Sequence, residues 1–359
     1  MKVLIAPLIR HPGADASYFL TQNLASLFTS NEIPCAVSAD ASNSFHNTAL
    51  YSWGKVRPPF FASDSLRSYE EWLYDAGALQ KSFLKDDLKC LEEAISHFRP
   101  DIIFAIDRPA ANIAARSAHI PCWTFVNSAM YKHTPFPSKC IKGLNEILRE
   151  NRLEQEFDLA GLYARSSRRL VFGTETIDPV PEDENLIRIG CSASFPLEAG
   201  RTNRVPVLLT DTNINPVKLK KILEDAYLGG PYILQTCLMQ KHFDKEKNIN
   251  FSKSPHPELI SGAVAAIHDG NAYYANMCLT LGVPQLIITD HSYRRLQIAQ
   301  AVQREKCGLY ITEEELTMSS LYETWRRLVT DDDYYYGAKR LQKETKNLRD
   351  ISDLILYTL

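Results

Sequence analysis

The sequence is short of the signals that announce a chemistry most directly. The loop after the first apolar run has no Gly-x-Gly-x-x-Gly, so a nicotinamide or flavin cofactor loses its usual phosphate cradle. Among eight cysteines (Cys35, Cys90, Cys122, Cys140, Cys191, Cys237, Cys278, Cys307) no two stand in Cys-x-x-Cys spacing, which removes the commonest zinc and redox patterns. Several lie inside apolar runs, as free thiols of a reducing compartment would. Apolar runs are short: Ile102 to Ile106 lies between Asp101 and Asp107, far below the roughly 18 residues a membrane span needs. Residues 1–6 run straight into a strand pattern and not a signal peptide. Charge of either sign never accumulates. Forty basic and 43 acidic residues leave a formal charge of -3, which gives no electrostatic reason to expect nucleic acid or a membrane surface as partner. These absences lead to the expectation of a cytoplasmic protein without a metal site.

What is present is apolar material in quantity: 45% of 359 residues, enough for two domains of roughly 150 to 200 residues each. Residues 255–302 are the most organised stretch. Two apolar runs, expected as strands over 263–267 and 283–289, are each followed by a helix-length segment, the one-dimensional look of a parallel sheet with crossover helices. Between the first strand and its helix stands a polar turn, His268-Asp269-Gly270-Asn271. In open parallel sheets the ligand crevice lies past the carboxyl ends of the strands, and a helix N-terminus there presents N–H groups to an anion. That turn is therefore the first candidate site.

The chain opens with an apolar run at residues 1–7, expected as a buried first strand, then a loop and a helix from Ser17, a candidate N-cap, to Ser30. A second strand is expected over 33–38. Residues 40–85 are irregular and aromatic; their rings either pack a peripheral region or line an apolar pocket for an acceptor. A helix over 85–98 ends at Arg99-Pro100, a strand over 101–106 ends at Asp107, and a small-residue helix follows over 110–118. Composition turns small and polar at 191–204, an expected linker. The second domain restarts with a strand from 205, a loop Thr210-Asp211-Thr212-Asn213, and a helix from Pro216, whose missing N–H suits a first helical turn. Strands over 232–237 and 248–251 and a helical tail from 319 complete the reading.

Three segments together resemble one family. His268-Asp-Gly, a helix, then Gly282-Val283-Pro284-Gln285-Leu286 resembles the nucleotide-sugar signature of family-1-type glycosyltransferases of the GT-B fold, the macrolide and plant secondary-metabolite enzymes. Residues 99–121, RPDIIFAIDRPAANIAARSAHIP, are similar to the acceptor-binding domain of the same group. Leu144-Asn145 through Leu153 resembles a further segment of that domain. The resemblance implies an α/β fold with two Rossmann-like, doubly wound parallel-sheet domains facing across a cleft. The first, over 1–190, would bind acceptor; the second, over 205–340, the nucleotide sugar; residues 341–359 would form a last helix returning to the first domain.

The activity so implied is transfer of a sugar from a UDP- or TDP-sugar to a hydroxyl of a small lipophilic acceptor, with inversion. No cofactor is called for beyond the nucleotide-sugar co-substrate; a homodimer is compatible. His11 is implied as the base and Asp107 as the acid that orients it, with Asp15 the fallback base. Donor contacts are expected from Thr210, Thr212, His256, His268, Gly270, Asn271, Asn276, Asp290 and His291, with Arg294 and Arg295 solvated beyond them. Asp269 is awkward beside a diphosphate. A carboxylate ~4 Å from a phosphate costs about 4 kcal/mol at an effective dielectric of ~20, against roughly 0.3 to 1 kcal/mol from a helix dipole. It is therefore expected to turn away as the helix N-cap, or the site does not hold a diphosphate. Two other functions fit less of the pattern: a glycosyltransferase-like auxiliary protein without catalysis, and a nucleotide-sugar epimerase.

Overall fold

The computed structural model describes residues 1–9, 16–40, 45, 48–51, 68–75, 77–132, 137–191, 202–209, 212, 214–236, 248–252, 256–290 and 292–354. The first half runs β1 (Val3–Pro7), α1 (Ala16–Ser30), β2 (Cys35–Ser38), β3 (Ala49–Tyr51), α2 (Tyr69–Asp75), α3 (Lys81–Phe98), β4 (Ile102–Ile106) and α4 (Pro109–Ser117). It continues with β5 (Cys122–Phe125), α5 (Pro137–Cys140), α6 (Lys142–Glu150), α7 (Leu159–Ala164), β6 (Arg168–Phe172) and β7 (Leu186–Gly190). The second half holds β8 (Val205–Leu209), α8 (Pro216–Ala226), β9 (Tyr232–Thr236), β10 (Ile249–Phe251), α9 (His256–Ile260), β11 (Ala266–His268) and α10 (Ala272–Leu281). Then come β12 (Gln285–Thr289), α11 (Tyr293–Arg304), β13 (Gly308–Thr312), α12 (Met318–Thr330), α13 (Asp332–Thr345) and β14 (Arg349–Asp350).

Two parallel sheets result, in the orders β14-β7-β6-β5-β4-β1-β2-β3 and β10-β9-β8-β11-β12-β13. Strands with helices on both faces are buried on both faces, which is why β1, β4, β8 and β12 are unbroken apolar or nearly apolar runs with every residue buried. In the first sheet the chain leaves β1 toward β2 and returns on its other side as β4, in register from Val3 with Ile102 to Pro7 with Ile106. In the second it leaves β8 toward β9 and returns as β11. Each sheet thus reverses direction once, and the crevice at such a reversal is where open α/β sheets bind ligands. Asp107 follows β4, and the His268–Asn271 turn follows β11.

Several boundaries differ from expectation. α1 begins at Ala16, so Ser17 lies inside the first turn and is not its cap. β11 begins at Ala266, because Gly262, with φ +74, and its neighbours turn the chain first. The aromatic tract contains β3 and α2. Within the tail, after α13, β14 adds to the edge of the first sheet beside β7, pairing Arg349 with Ile189 and Asp350 with Gly190. One apolar cluster spans both halves, joining Phe125, Phe172 and Ile189 to Leu208, Ile260, Tyr273 and Met277.

Candidate functional site

On the first domain's side, Asp107 ends β4 in the left-handed region, φ +53, a conformation that Asp tolerates better than most residues. Its neighbour Arg108 anchors that turn. The buried guanidinium donates to Asp87 of α3 through Nε at 3.0 Å and to the carbonyl of Ser38 at 2.6 Å. With the backbone so fixed, the Asp107 carboxylate accepts from the Tyr69 hydroxyl at 2.7 Å and from Ser17 Oγ at 3.3 Å. Burial, and next the Asp107 charge, hold the Tyr69 phenol well above its ordinary pKa, so it remains a donor. Tyr69 thereby leaves the apolar-pocket reading of its tract and acts on the acid; Trp72, stacked on it at 5.7 Å, meets Arg294 at 4.3 Å.

On the second domain's side, Gly270 makes the tight turn with φ +81, and a Cβ there would press within 3.1 Å of Arg295 and Ile287. The cap of α10 is Asn271, whose side chain accepts from the Tyr273 N–H at 2.9 Å. Asp269 is not the cap. It is fully buried and accepts from the Asn271 N–H at 3.2 Å, so its carboxylate takes up one N–H beside the start of α10.

His268 also turns inward, against the expectation of a diphosphate contact. It is 0% exposed; Nδ1 accepts from the Gly270 N–H at 3.1 Å, and Nε2 lies 2.8 Å from Gln285 Oε1. An acceptor Nδ1 makes Nε2 the protonated nitrogen, and burial lowers the imidazole pKa. Both nitrogens are therefore committed within the domain. Asn276, expected at the ribose, joins the domains instead: its amide donates to the carbonyls of Phe172 at 3.0 Å and Ala272 at 2.8 Å. Gly173, φ +84, admits this approach, since a Cβ would lie 1.7 Å from Asn276 Oδ1.

Of the other expected donor residues, Thr212 donates to Glu313 at 2.6 Å, tying the β8 loop to the end of β13. Asp290 accepts from the Ser292 N–H at 3.0 Å and meets Arg295 at 3.5 Å. Arg295 is 2% exposed and not a solvated residue. His256 begins α9. His11, Asp15, Thr210 and His291 lie outside the described residues. Burial pushes the thiols of Cys35, Cys122 and Cys307 up to about 12, and the described cysteines are free. Among the described residues no group of three or more His, Cys, Asp or Glu is placed to hold a metal ion, and no helix is long and apolar enough to cross a membrane.

One cavity brings the two sides together. Asp107 and Ser17 line it from the first domain, Asn271, Ala272 and Arg294 from the second. Its walls hold further polar groups that sequence reasoning missed, Asn127 and Asp178. Both stand just past strand ends, after β5 and β6, and that position is the signal that could have found them. The domains are clasped around it: Asn23 donates to the Tyr273 hydroxyl at 2.7 Å, Phe172 meets Tyr273 edge-on at 5.1 Å, and Lys132 sits 3.4 Å from the Tyr293 ring centroid.

Residues 247–348 match the family described as erythromycin biosynthesis protein CIII-like, C-terminal domain. No curated protein matches the chain by sequence. Among solved structures, the spinosyn rhamnosyltransferase SpnG aligns with a TM-score of 0.74 at 14% identity, covering 99% of both chains. The glycosyltransferase VinC, solved with dTDP, aligns at 0.67 and 14% identity over 99% of this chain and 98% of that one. SnogD from Streptomyces nogalater aligns at 0.65 and 15% identity over 100% and 99%. Residues 247–348 thus match a CIII-like C-terminal domain, and the chain as a whole has the GT-B fold of the glycosyltransferase structures it aligns with.

Proposed function

We propose that the protein transfers a sugar from a TDP- or UDP-sugar to a hydroxyl of a small lipophilic acceptor, with inversion and without a metal ion. The observation that carries this reading is the shared cavity, in which an acid at the reversal point of one sheet faces a helix N-terminus at the reversal point of the other. The α10 N-terminus supplies N–H groups and a positive dipole end for a diphosphate leaving group, and the buried Asp269 leaves that end without an exposed carboxylate. Asp107, held by Tyr69 and Ser17, suits the acid that orients a base; the resemblance assigns the base to His11. The SpnG structures with thymidine diphosphate and with spinosyn aglycone support a nucleotide and an acceptor meeting in such a cleft.

A second reading, a binding protein that has lost transfer, is favoured by one observation: His268 and Asn276, at the donor-signature positions, are both occupied within the fold. Calorimetric titration with TDP and UDP tests the common part. Saturable binding of at least one at submillimolar concentration is expected; no heat with either at millimolar concentration overturns both readings. Release of TDP or UDP from the sugar donor, abolished in Asp107→Ala, then selects transfer over binding alone.

A further inference from the structure

The wall of the cavity contributed by the first domain holds two oxygens without a hydrogen-bond partner among the described residues. Asp178 Oδ2 and Asn127 Oδ1 are buried without a hydrogen-bond partner, and both residues line the cavity. Asp178 is 1% exposed. Its other oxygen accepts from the Ser128 N–H at 2.7 Å, which pins the carboxylate to the short helical turn Ser128–Tyr131 and fixes where Oδ2 lies. Arg188 donates to the backbone carbonyl of Asp178 at 3.1 Å, while its Nε is given to Glu182 at 2.8 Å.

Buried polar groups in folded proteins are almost always paired, and each exception calls for an explanation. Here both unpaired atoms are acceptors, so the missing partner is a donor. The charges lining the cavity are Asp107 and Asp178 against Arg294, a net single negative charge. Burial raises the Asp178 pKa against the lowering effect of Ser128 and of the Arg188 charge, and a cation placed beside the carboxylate would favour its charged form. We propose that Asp178, with Asn127, forms a subsite for an ammonium group carried by the acceptor. The assignment to the acceptor rests on reading the cavity as part of a glycosyl-transfer cleft; the amine subsite itself does not.

Three fragments of one size and different charge test it: benzylamine, benzyl alcohol and benzoate, titrated by ligand-observed NMR against the full chain and against Asp178→Asn. The asparagine keeps an oxygen for the Ser128 N–H, so the turn is preserved. Benzylamine is expected to bind at least tenfold more tightly than benzyl alcohol, benzoate not to bind, and Asp178→Asn to lose at least tenfold for benzylamine while leaving benzyl alcohol within twofold. A second variant, Asn127→Asp, adds a carboxylate and is expected to tighten benzylamine severalfold, a gain that a purely structural role would not produce. Equal affinity of benzylamine and benzyl alcohol, or benzylamine affinity unchanged in Asp178→Asn, overturns the subsite. Displacement of benzylamine by saturating TDP overturns its assignment to the acceptor. Failure of TDP and UDP to bind either protein would sink both functional readings and leave the amine subsite standing, since the fragment affinities are measured without nucleotide.

Discussion

At the scale of single residues, two side chains carry measurable consequences. The Tyr69 hydroxyl donates to Asp107 at 2.7 Å, and a hydrogen bond to a charged group contributes roughly 1.5 to 3 kcal/mol. Tyr69→Phe is expected to lower kcat for transfer roughly tenfold, which corresponds to about 1.4 kcal/mol, with KM for the donor little changed because Tyr69 stands on the first domain. Steady-state kinetics decide it; an unchanged kcat separates Asp107 from the chemistry. His268 gives a pH dependence. Burial lowers its pKa from the ordinary 6.5, so below that value the unfolded chain binds a proton that the folded chain refuses. The stability this group provides is complete above about 6.5 and is lost as pH falls toward the folded value, at up to about 1.4 kcal/mol per unit. Melting temperatures between pH 7.5 and 5 should therefore fall more steeply in the parent chain than in His268→Gln, and parallel curves would show that His268 does not titrate in this way.

At the scale of elements, α10 is the helix on which the donor side depends. Its cap is Asn271, and losing such a side chain costs about 1 kcal/mol. Asn271→Ala is expected to lower stability by that amount and to weaken TDP binding by several-fold, because the capped first turn also lines the cavity. Urea unfolding and a TDP titration read the two effects separately; unaltered TDP affinity would place the diphosphate elsewhere. Much of this element was legible. The apolar run, the four-residue polar turn and Gly282, which closes α10 in the left-handed region at φ 66, are local signals. The identity of the cap was not, because Asp269 and Asn271 are both good caps and the choice follows from the burial of Asp269 beside Gly270. Arg295 likewise has helical-surface spacing, and only the fold shows its guanidinium inside. Tyr69 was invisible for a related reason: it matters through Asp107, which is 38 positions away.

At the scale of the whole molecule, the two sheets behave as one body through packing that the linear order hides. The cluster containing Phe172 and Ile189 also holds Tyr273, Met277 and, from the chain's return, Leu354, which is 1% exposed. β14 joins the edge of the first sheet after the second domain has been completed, so the tail holds the domains as well as ending the chain. The parallel βα pattern of each half could be read from strand-length apolar runs; the two-residue strand at the end could not, since it takes its identity from β7. Removing residues 349–359 deletes both β14 and Leu354, and loss of a buried leucine side chain alone costs about 2 to 5 kcal/mol. Because that loss falls at the seam, its expected signature in calorimetry is a change of shape as well as position. The full chain should unfold in a single transition, and the truncated chain in two, the first domain melting earlier. Asn276→Ala, which removes the amide bonded to the Phe172 carbonyl, should move in the same direction by a smaller amount. A truncated chain that still melts in one transition, shifted only in temperature, would mean that Asn276, Tyr273 and the shared core couple the domains without the tail.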